Sequence, residues 1–509
     1  MQDPVAQQSA EFVALSAMTP ALSAGANRAS AYGGRAFVAR IQMDGWLPPD
    51  CIRRTLRLGS SQAVACAFAL LGVIALAGCA AYTPAPVQPT TFPAAYAVRT
   101  LGAAPAGSVW TAADLLDVAL ARSPLVAAAL ARRRAALAAL RGARQPAAPS
   151  LTLTAEYAKD RPHWGYGAAG DFPLRLGAVR GAQITTAELQ ALQAAYDHAE
   201  AVWNVRSDLA KALAAVGAAG HQVEAADRLE ILRRDRLARI DRRIVLGEDD
   251  RPMGLIAQAD LAAAAARSRE ARAGQVQAHL ALAAALGVPP NAIDDLRLVP
   301  EAARSAERAG LPVWRQHAIT QRADVLRAIA DYDLADAALR GQVARQYPEV
   351  RLAPGYMYDH GVSKLPFDLG LTLPPWDGNR SAIAGAEAAR AAAGRALEAT
   401  QAAVLARVDA AAAALTAAET TAAKTEHDDV GAAQALADRT ARAVRAGAAD
   451  RVDDLGAQAA LAEARLNLVL EQGAARRAAS DLEDALRRPF DPAEAAVLAR
   501  VLSAAGAVK

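Results

Sequence analysis

The densest group of potential metal ligands in the sequence is the tetrapeptide Glu426-His427-Asp428-Asp429. It falls in a proline-free segment of helical composition, where neighbouring side chains point in different directions and no His-x3-His partner stands nearby. A solvated helix surface explains these residues better than a metal site. The seven histidines are scattered and the three cysteines all precede residue 80, so no arrangement suggests nucleophilic catalysis. The sequence therefore predicts no enzyme, no metal site and no cofactor.

Two turns of similar sequence contain the other residues of interest, GEDDRPMGL at 247–255 and GAADRVDDL at 447–455. In the second turn, Gly447 is suited to end one helix, and Asp450 is suited to cap the start of the next. Gly247 and Asp250 repeat this pattern in the first turn. The sequence thus predicts two tight helix-to-helix connections.

A duplication relates these two turns. A shift of 199 residues carries 119–142 onto 318–341, and a shift of 200 carries the first turn onto the second. The chain is therefore expected to consist of a first repeat at 111–299 and a second repeat at 312–488. A C-terminal tail at 489–509 would follow.

Each repeat contains two segments in which apolar residues alternate, which predicts strands. These segments lie near 150–158, 171–177, 349–359 and 364–374. About ten residues is the length of a tilted strand that crosses a bilayer, and lipid does not tolerate open sheet edges. Four strands per chain cannot close a barrel, whereas three chains would supply twelve. The alternative is a soluble hairpin packed on helices.

Behind each pair of strands lies a long stretch without proline, rich in Ala, Arg, Glu and Leu, which is helical composition. The two stretches run over 180–246 and 380–446. At about 1.5 Å per residue, each helix would be roughly 100 Å long. Because no compact soluble domain has that shape, the helices favour the membrane barrel over the soluble hairpin.

The charge balance argues against nucleic acid as a partner. The formal net charge is only +3 in 509 residues, and no basic stretch is interleaved with aromatic residues. The sequence therefore gives no indication of nucleic-acid binding.

The N-terminal region has the features of an exported lipoprotein. Residues 53–78 combine a basic start with an apolar run, as in a secretory signal peptide, and end in a Leu-Ala-Gly-Cys segment that resembles the lipobox of bacterial lipoproteins. Lipidation is expected at Cys79, and Ala80 after it favours the outer membrane. The alternative, a transmembrane helix, would need a longer apolar run. Residues 1–52 are expected to be an extension before the true start, and 79–110 a flexible tether.

Over roughly 111–488 the sequence resembles the TolC-like outer-membrane efflux family. The resemblance is carried by the duplication, by the two turns, and by the segments DFPLRLGAVRGA (171–182) and LGLTLPPWDGNRSA (369–382). The amino-acid sequence of the first hairpin is similar to that of the heavy-metal efflux branch. One departure is Arg322-Ala323-Asp324, where family members usually have a proline in the middle.

The resemblance implies an α+β membrane protein, a homotrimer with a twelve-stranded transmembrane β-barrel, four strands per chain, on a long periplasmic α-helical barrel. It also implies an exit duct in the outer membrane, anchored by lipid, that docks with a periplasmic adaptor protein and an inner-membrane efflux transporter. The alternative function is a periplasmic spacer or adaptor lipoprotein without a pore.

In the resembled family, an Asp at the position of Asp453 contributes to a ring of carboxylates at the periplasmic constriction. Asp450 and Asp454 are the neighbouring candidates for such a gate, and Gly456 stands where the family can have a second acid. Acids at this position also complement the positive end of a helix dipole. For Asp453, a role in the gate and a role in complementing the helix dipole both stay open. Capping is the favoured role for Asp450, and complementing the dipole is the favoured role for Asp454.

Overall fold

The computed structural model describes residues 82–102, 109–159, 162–174, 178–299 and 310–506. Cys79, the signal peptide at 53–78 and the extension at 1–52 lie outside these described residues, as do the first residues of the expected tether. The chain divides into two units at Pro93, and the body of the protein belongs to the second unit, Ala94–Lys509. In the described part of the first unit, residues 82–90 form no helix or strand.

The second unit repeats one order of elements. The first repeat comprises α2 (Ala112–Arg122), α3 (Pro124–Arg144), β1 (Ser150–Tyr157), β2 (Trp164–Leu174), α4 (Ala178–Leu246) and α5 (Arg251–Leu286). The second repeat comprises α6 (Leu311–Gln321), α7 (Ala323–Ala344), β3 (Glu349–Asp359), β4 (Val362–Lys364), β5 (Phe367–Thr372), α8 (Arg380–Lys424), a π-helical segment (Thr425–Val430), α9 (Gly431–Arg445) and α10 (Arg451–Leu486). Outside the repeats lie α1 (Thr91–Ala97) and α11 (Pro492–Gly506).

The two long helices have the expected lengths. Helix α4 contains 69 residues without interruption, which corresponds to roughly 100 Å. Its counterpart runs from Arg380 to Arg445 and contains one π-helical segment, at Thr425–Val430. Length and composition alone would allow this helix to cross a membrane, but alanine rather than large apolar residues supplies most of its hydropathy. The side chains of 426–429 are exposed on it.

The strands form one antiparallel sheet in the order β1, β2, β3, with β4 and β5 both paired to β3. The second strand differs from the predicted 171–177, since β2 begins seven residues earlier, at Trp164. Its first half is rich in Gly and Ala, which carry no strand signal, yet it pairs with β1 from Tyr157↔Trp164 onward. Aromatic contacts support this pairing, with ring centroids 5.1 Å apart for Tyr157 and Trp164.

The last predicted strand, 364–374, is divided in two. β4 ends at Lys364 and β5 begins at Phe367. Pro366 lies at the break because it has no N–H to donate to a neighbouring strand. Its carbonyl oxygen still accepts a hydrogen bond from the Gly355 N–H at 2.8 Å. Proline thus interrupts the strand but leaves β4 and β5 on the same side of β3.

The region predicted to be a tether and the predicted C-terminal tail are both partly folded. Tyr96 Oη donates a hydrogen bond to the Val288 carbonyl at 2.8 Å, which holds α1 to the end of α5. The tail at 489–509 contains α11, and its Leu498 belongs to the same apolar core as Leu115 and Leu286. The apolar pattern over α11 is too short to predict a packed helix, because only 15 residues form it.

The second repeat begins without the proline that the resembled family has. Ala323 is the first residue of α7, and Arg322 is the N-cap. Arg322 is buried and donates hydrogen bonds to both carboxylate oxygens of Asp324, at 2.9 and 2.6 Å. Burial by itself would raise the pKa of Asp324, but the hydrogen bonds and charge of Arg322 lower it below its usual value. An ion pair therefore fixes the start of this helix.

Candidate functional site

The two tip turns, 247–250 and 447–450, have the same backbone geometry. Gly247 and Gly447 adopt left-handed conformations, with φ of 77° and 72°. In each turn the residue after this glycine donates its N–H to a carbonyl five residues earlier, at 2.8 Å. This pattern is the Schellman motif, which satisfies the last carbonyls of a helix. Each glycine therefore ends a long helix where another residue type would be strained.

The second tip turn also caps the helix that follows it. The Asp450 carboxylate accepts a hydrogen bond from the Asp453 N–H at 2.8 Å, and the Asp453 carboxylate accepts one from the Asp450 N–H at 3.2 Å. This reciprocal pair is a capping box. Asp250 is the N-cap residue of α5 but makes no such side-chain bond, and proline takes a place in the first turn of that helix. The two repeats thus start their return helices differently.

The three candidate gate residues differ in exposure. Asp453 is exposed, and one of its carboxylate oxygens serves the capping box. Asp454 is only 3 % exposed and is directed towards Arg451 and Gln458. Asp450 lies between these extremes. Of the three carboxylates, that of Asp453 is the most accessible to solvent.

Arg243, which the sequence did not single out, connects the two tip turns. It lies in the last turn of α4 and contacts Asp249 in its own turn, with Nη2 and Oδ1 3.0 Å apart. It also donates a hydrogen bond to Asp450 of the second turn. One arginine therefore holds the tips of both repeats together. The only signal in the sequence was a difference between the repeats, because the second repeat has Ala443 at the position equivalent to Arg243.

Further ion pairs join the helices of both repeats above the tips. Glu463 of α10 contacts Arg267 of α5 at 2.6 Å and Arg233 of α4 at 3.2 Å. Burial alone would raise the pKa of Glu463, but the hydrogen bonds and charges of Arg267 and Arg233 lower it. At neutral pH this carboxylate is therefore charged and binds two arginines of the first repeat.

The sheet at the other end has two chemically different faces. One face consists of large apolar side chains, including Leu153, Leu369 and Tyr356, and Leu153 remains 65 % exposed in the single chain. The opposite face is polar and includes Asp171 and Arg351, whose charged atoms lie 3.7 Å apart. Such a sheet is suited to lie between lipid and water.

The sheet is also open on both sides. Among the described residues, the outer edge of β1 has no partner strand, nor does the outer edge of β5. Lipid-facing strands on helices roughly 100 Å long define a class of protein, the outer-membrane channels that have a periplasmic duct.

The comparison with protein families agrees with this class. The description "outer membrane efflux protein" belongs to the family that matches residues 115–288 and 314–486. The chain therefore belongs to the outer membrane efflux protein family. No curated protein sequence matches it.

Solved structures share the fold. The outer membrane protein VceC from Vibrio cholerae superposes with a TM-score of 0.62 at 20 % identity, over 74 % of this chain and 96 % of VceC. The open state of the MtrE outer membrane channel from Neisseria gonorrhoeae gives 0.60 at 18 %, over 75 % and 89 %. CusC gives 0.61 at 15 %, over 80 % and 99 %. These values are too similar to favour one branch, so the heavy-metal assignment stays a prediction.

Proposed function

We propose that the chain works as a homotrimeric exit duct in the outer membrane, through which a tripartite efflux system releases its cargo. The open sheet carries this proposal, because its apolar face cannot remain exposed to water, and the two edges that are unpaired among the described residues cannot remain exposed to lipid. Pairing β5 of one copy with β1 of the next closes a barrel from three copies. The long helices below the barrel then form the periplasmic duct.

The partners follow from the same architecture. A duct of this kind has no energy source of its own, so an inner-membrane efflux transporter would drive transport. A periplasmic adaptor would connect the two. Acylation of Cys79 would anchor each copy in the outer membrane, since several acyl chains make a stable anchor where one is marginal. The lipobox-like segment before Cys79 supports this part of the proposal.

The competing function is a spacer or adaptor lipoprotein without a pore, and two measurements separate it from the duct. We expect the purified protein to migrate as a trimer on gels unless it is heated, and to give discrete single-channel currents in planar bilayers. A spacer would give no such currents. A monomer that becomes soluble after Cys79→Ser would contradict the duct.

Within this duct, the Asp453 carboxylates of three copies would form a negatively charged ring at the periplasmic tip. Acidic rings favour cations in pores. We expect Asp453→Asn to lower the preference for K⁺ over Cl⁻, measured as the zero-current potential in a KCl gradient. The asparagine oxygen can still accept the capping hydrogen bond, so the helix start should be kept.

Asp438→Asn is the matched control, because Asp438 is exposed on α9 and accepts a hydrogen bond from Gln434 of its own helix. The control should keep the wild-type potential. Equal potentials for both variants and the wild type would reduce Asp453 to a capping residue.

A further inference from the structure

The collar, where the sheet meets the helices, contains a groove that no described residue of the single chain fills. The groove has a volume of about 580 Å³ and lies between residues 145–147, which precede β1, and residues 172–174, which end β2. It exists because the pairing of β1 with β2 stops at Ser150↔Asp171. The last three residues of β2 therefore have no β1 neighbour. We name this space the collar groove.

A second feature of the collar is a large apolar side chain without cover. Trp376 is fully exposed, at 106 % of its reference area. It lies in the connection from β5 to α8, four residues after β5 ends at Thr372. An extended chain of four residues spans roughly 13 Å. Burying an aromatic side chain of this size is strongly favourable.

The duplication supplies a template for what lies beside the groove. Within one chain, the end of β2 and the start of α4 lie beside the segment before β3, and Leu174, Val179 and Tyr347 line the space between them. That space measures only about 200 Å³. By the repeat symmetry, the residues between the end of β5 and the start of α8 should lie beside a connection before β1. In a closed barrel, that connection belongs to the next copy.

The junction within one chain and the junction between copies differ in which side carries the larger side chain. Aligning Arg180 with Arg380 puts Trp376 opposite Leu176 in sequence, and the shift of 199 puts Ala148 opposite Tyr347. Within the chain, the larger residue of the pair is Tyr347, which precedes β3 in the sequence. Between copies, the larger residue would be Trp376, which follows β5. The smaller residue, Ala148, would leave space before β1 of the next copy. The groove and the exposed tryptophan are complementary in this sense.

We propose that Trp376 of each copy fills the collar groove of the adjacent copy and packs against Phe172 and Pro146 there. The inference rests on the proposed trimer, but it goes beyond strand pairing by assigning a specific side chain to a specific groove. The occupant is a second copy of this chain, because the antiparallel continuation of β5 beyond β1 leads into this space. Trp376 is then an anchor between copies and not a lipid-facing belt residue.

Disulfide cross-linking of the full chain in outer membranes tests the contact. With Trp376→Cys and Ala147→Cys combined, we expect covalent dimers and trimers on denaturing gels after mild oxidation. The two single variants control for the native cysteines, all of which precede residue 80. The pair Val313→Cys and Ala147→Cys is the matched control, because Val313 is exposed on α6 and far along the chain from the collar. We expect no covalent dimers or trimers from the two single variants or from this control pair.

A second measurement covers the case in which cysteines disturb assembly. Trp376→Ala should lower the temperature at which the trimer dissociates on a gel, and Trp376→Phe should restore most of the loss. Absence of the specific cross-link in a protein that migrates as a trimer would overturn the contact but leave the duct intact. Equal dissociation temperatures for all three proteins would overturn it as well. A wild-type protein that forms no trimer would overturn both proposals.

Discussion

Replacing Arg206 by methionine should lower the free energy of unfolding by about 3–5 kcal/mol, the cost of removing one partner from a buried ion pair. The Arg206 side chain is only 1 % exposed and lies between two carboxylates, those of Glu483 at 2.6 Å and Glu494 at 2.7 Å. Its guanidinium also lies over the Trp203 ring, 5.2 Å from the centroid. Methionine preserves much of the volume but leaves both buried carboxylates without this cation.

The three charged residues come from three different elements, which explains why the effect should be global. Arg206 belongs to α4, Glu483 to α10 and Glu494 to α11. The cluster therefore joins the first repeat, the second repeat and the C-terminal helix at one point. Urea unfolding of the detergent-purified protein, followed by far-UV circular dichroism, measures the change.

Arg500→Met is the matched control on α11. Arg500 pairs with Asp117, but the two side chains are 62 % and 54 % exposed, and such surface pairs contribute only about 0–1 kcal/mol. Replacing all three members of the buried cluster by apolar residues should recover much of the loss, since an apolar set can match a buried ion cluster. Similar unfolding midpoints for Arg206→Met and Arg500→Met would contradict the argument.

Local patterns were enough to predict the long helices and most of the sheet, because both depend on composition and on periods of a few residues. The 69 residues of α4 contain no proline, and β3 runs from Glu349 to Asp359, where side chains alternate. β2 was the exception. Its Gly-rich half pairs because β1 and β3 lie beside it, which is a tertiary effect that propensity does not contain.

The residues that hold the two repeats together were beyond local patterns for a physical reason. Arg206 and Glu494 are separated by 288 positions, and Arg243 and Asp450 by 207. Neither pair has a spacing that a helix or a strand would repeat. The tip turns, in contrast, are local structures, so Gly447 and Asp450 adopt the conformations that their residue types favour.

Replacing Arg243 by serine should increase the current through the channel several-fold under conditions in which the wild type is mostly closed. Arg243 contacts Asp249 and Asp450 at the same time, so it links the tip of the first repeat to that of the second. Asp450 is also the N-cap of α10, and the return helix of the second repeat is thereby fixed to the end of α4. Without the arginine, the two tips can separate while both capping glycines stay in place.

Arg445→Ser provides the matched control, because Arg445 is exposed at the end of α9 and donates to the Ala441 carbonyl of its own helix. The control should keep the wild-type current in planar bilayers. The double variant Arg243→Ser with Asp450→Asn should conduct no better than Arg243→Ser alone, because both changes remove the same link. A current that is unchanged in Arg243→Ser, or raised equally in Arg445→Ser, would show that this ion pair does not restrain the tip. If the current of the double variant instead equalled the sum of two independent increases, Asp450 would belong to a separate restraint on the tip.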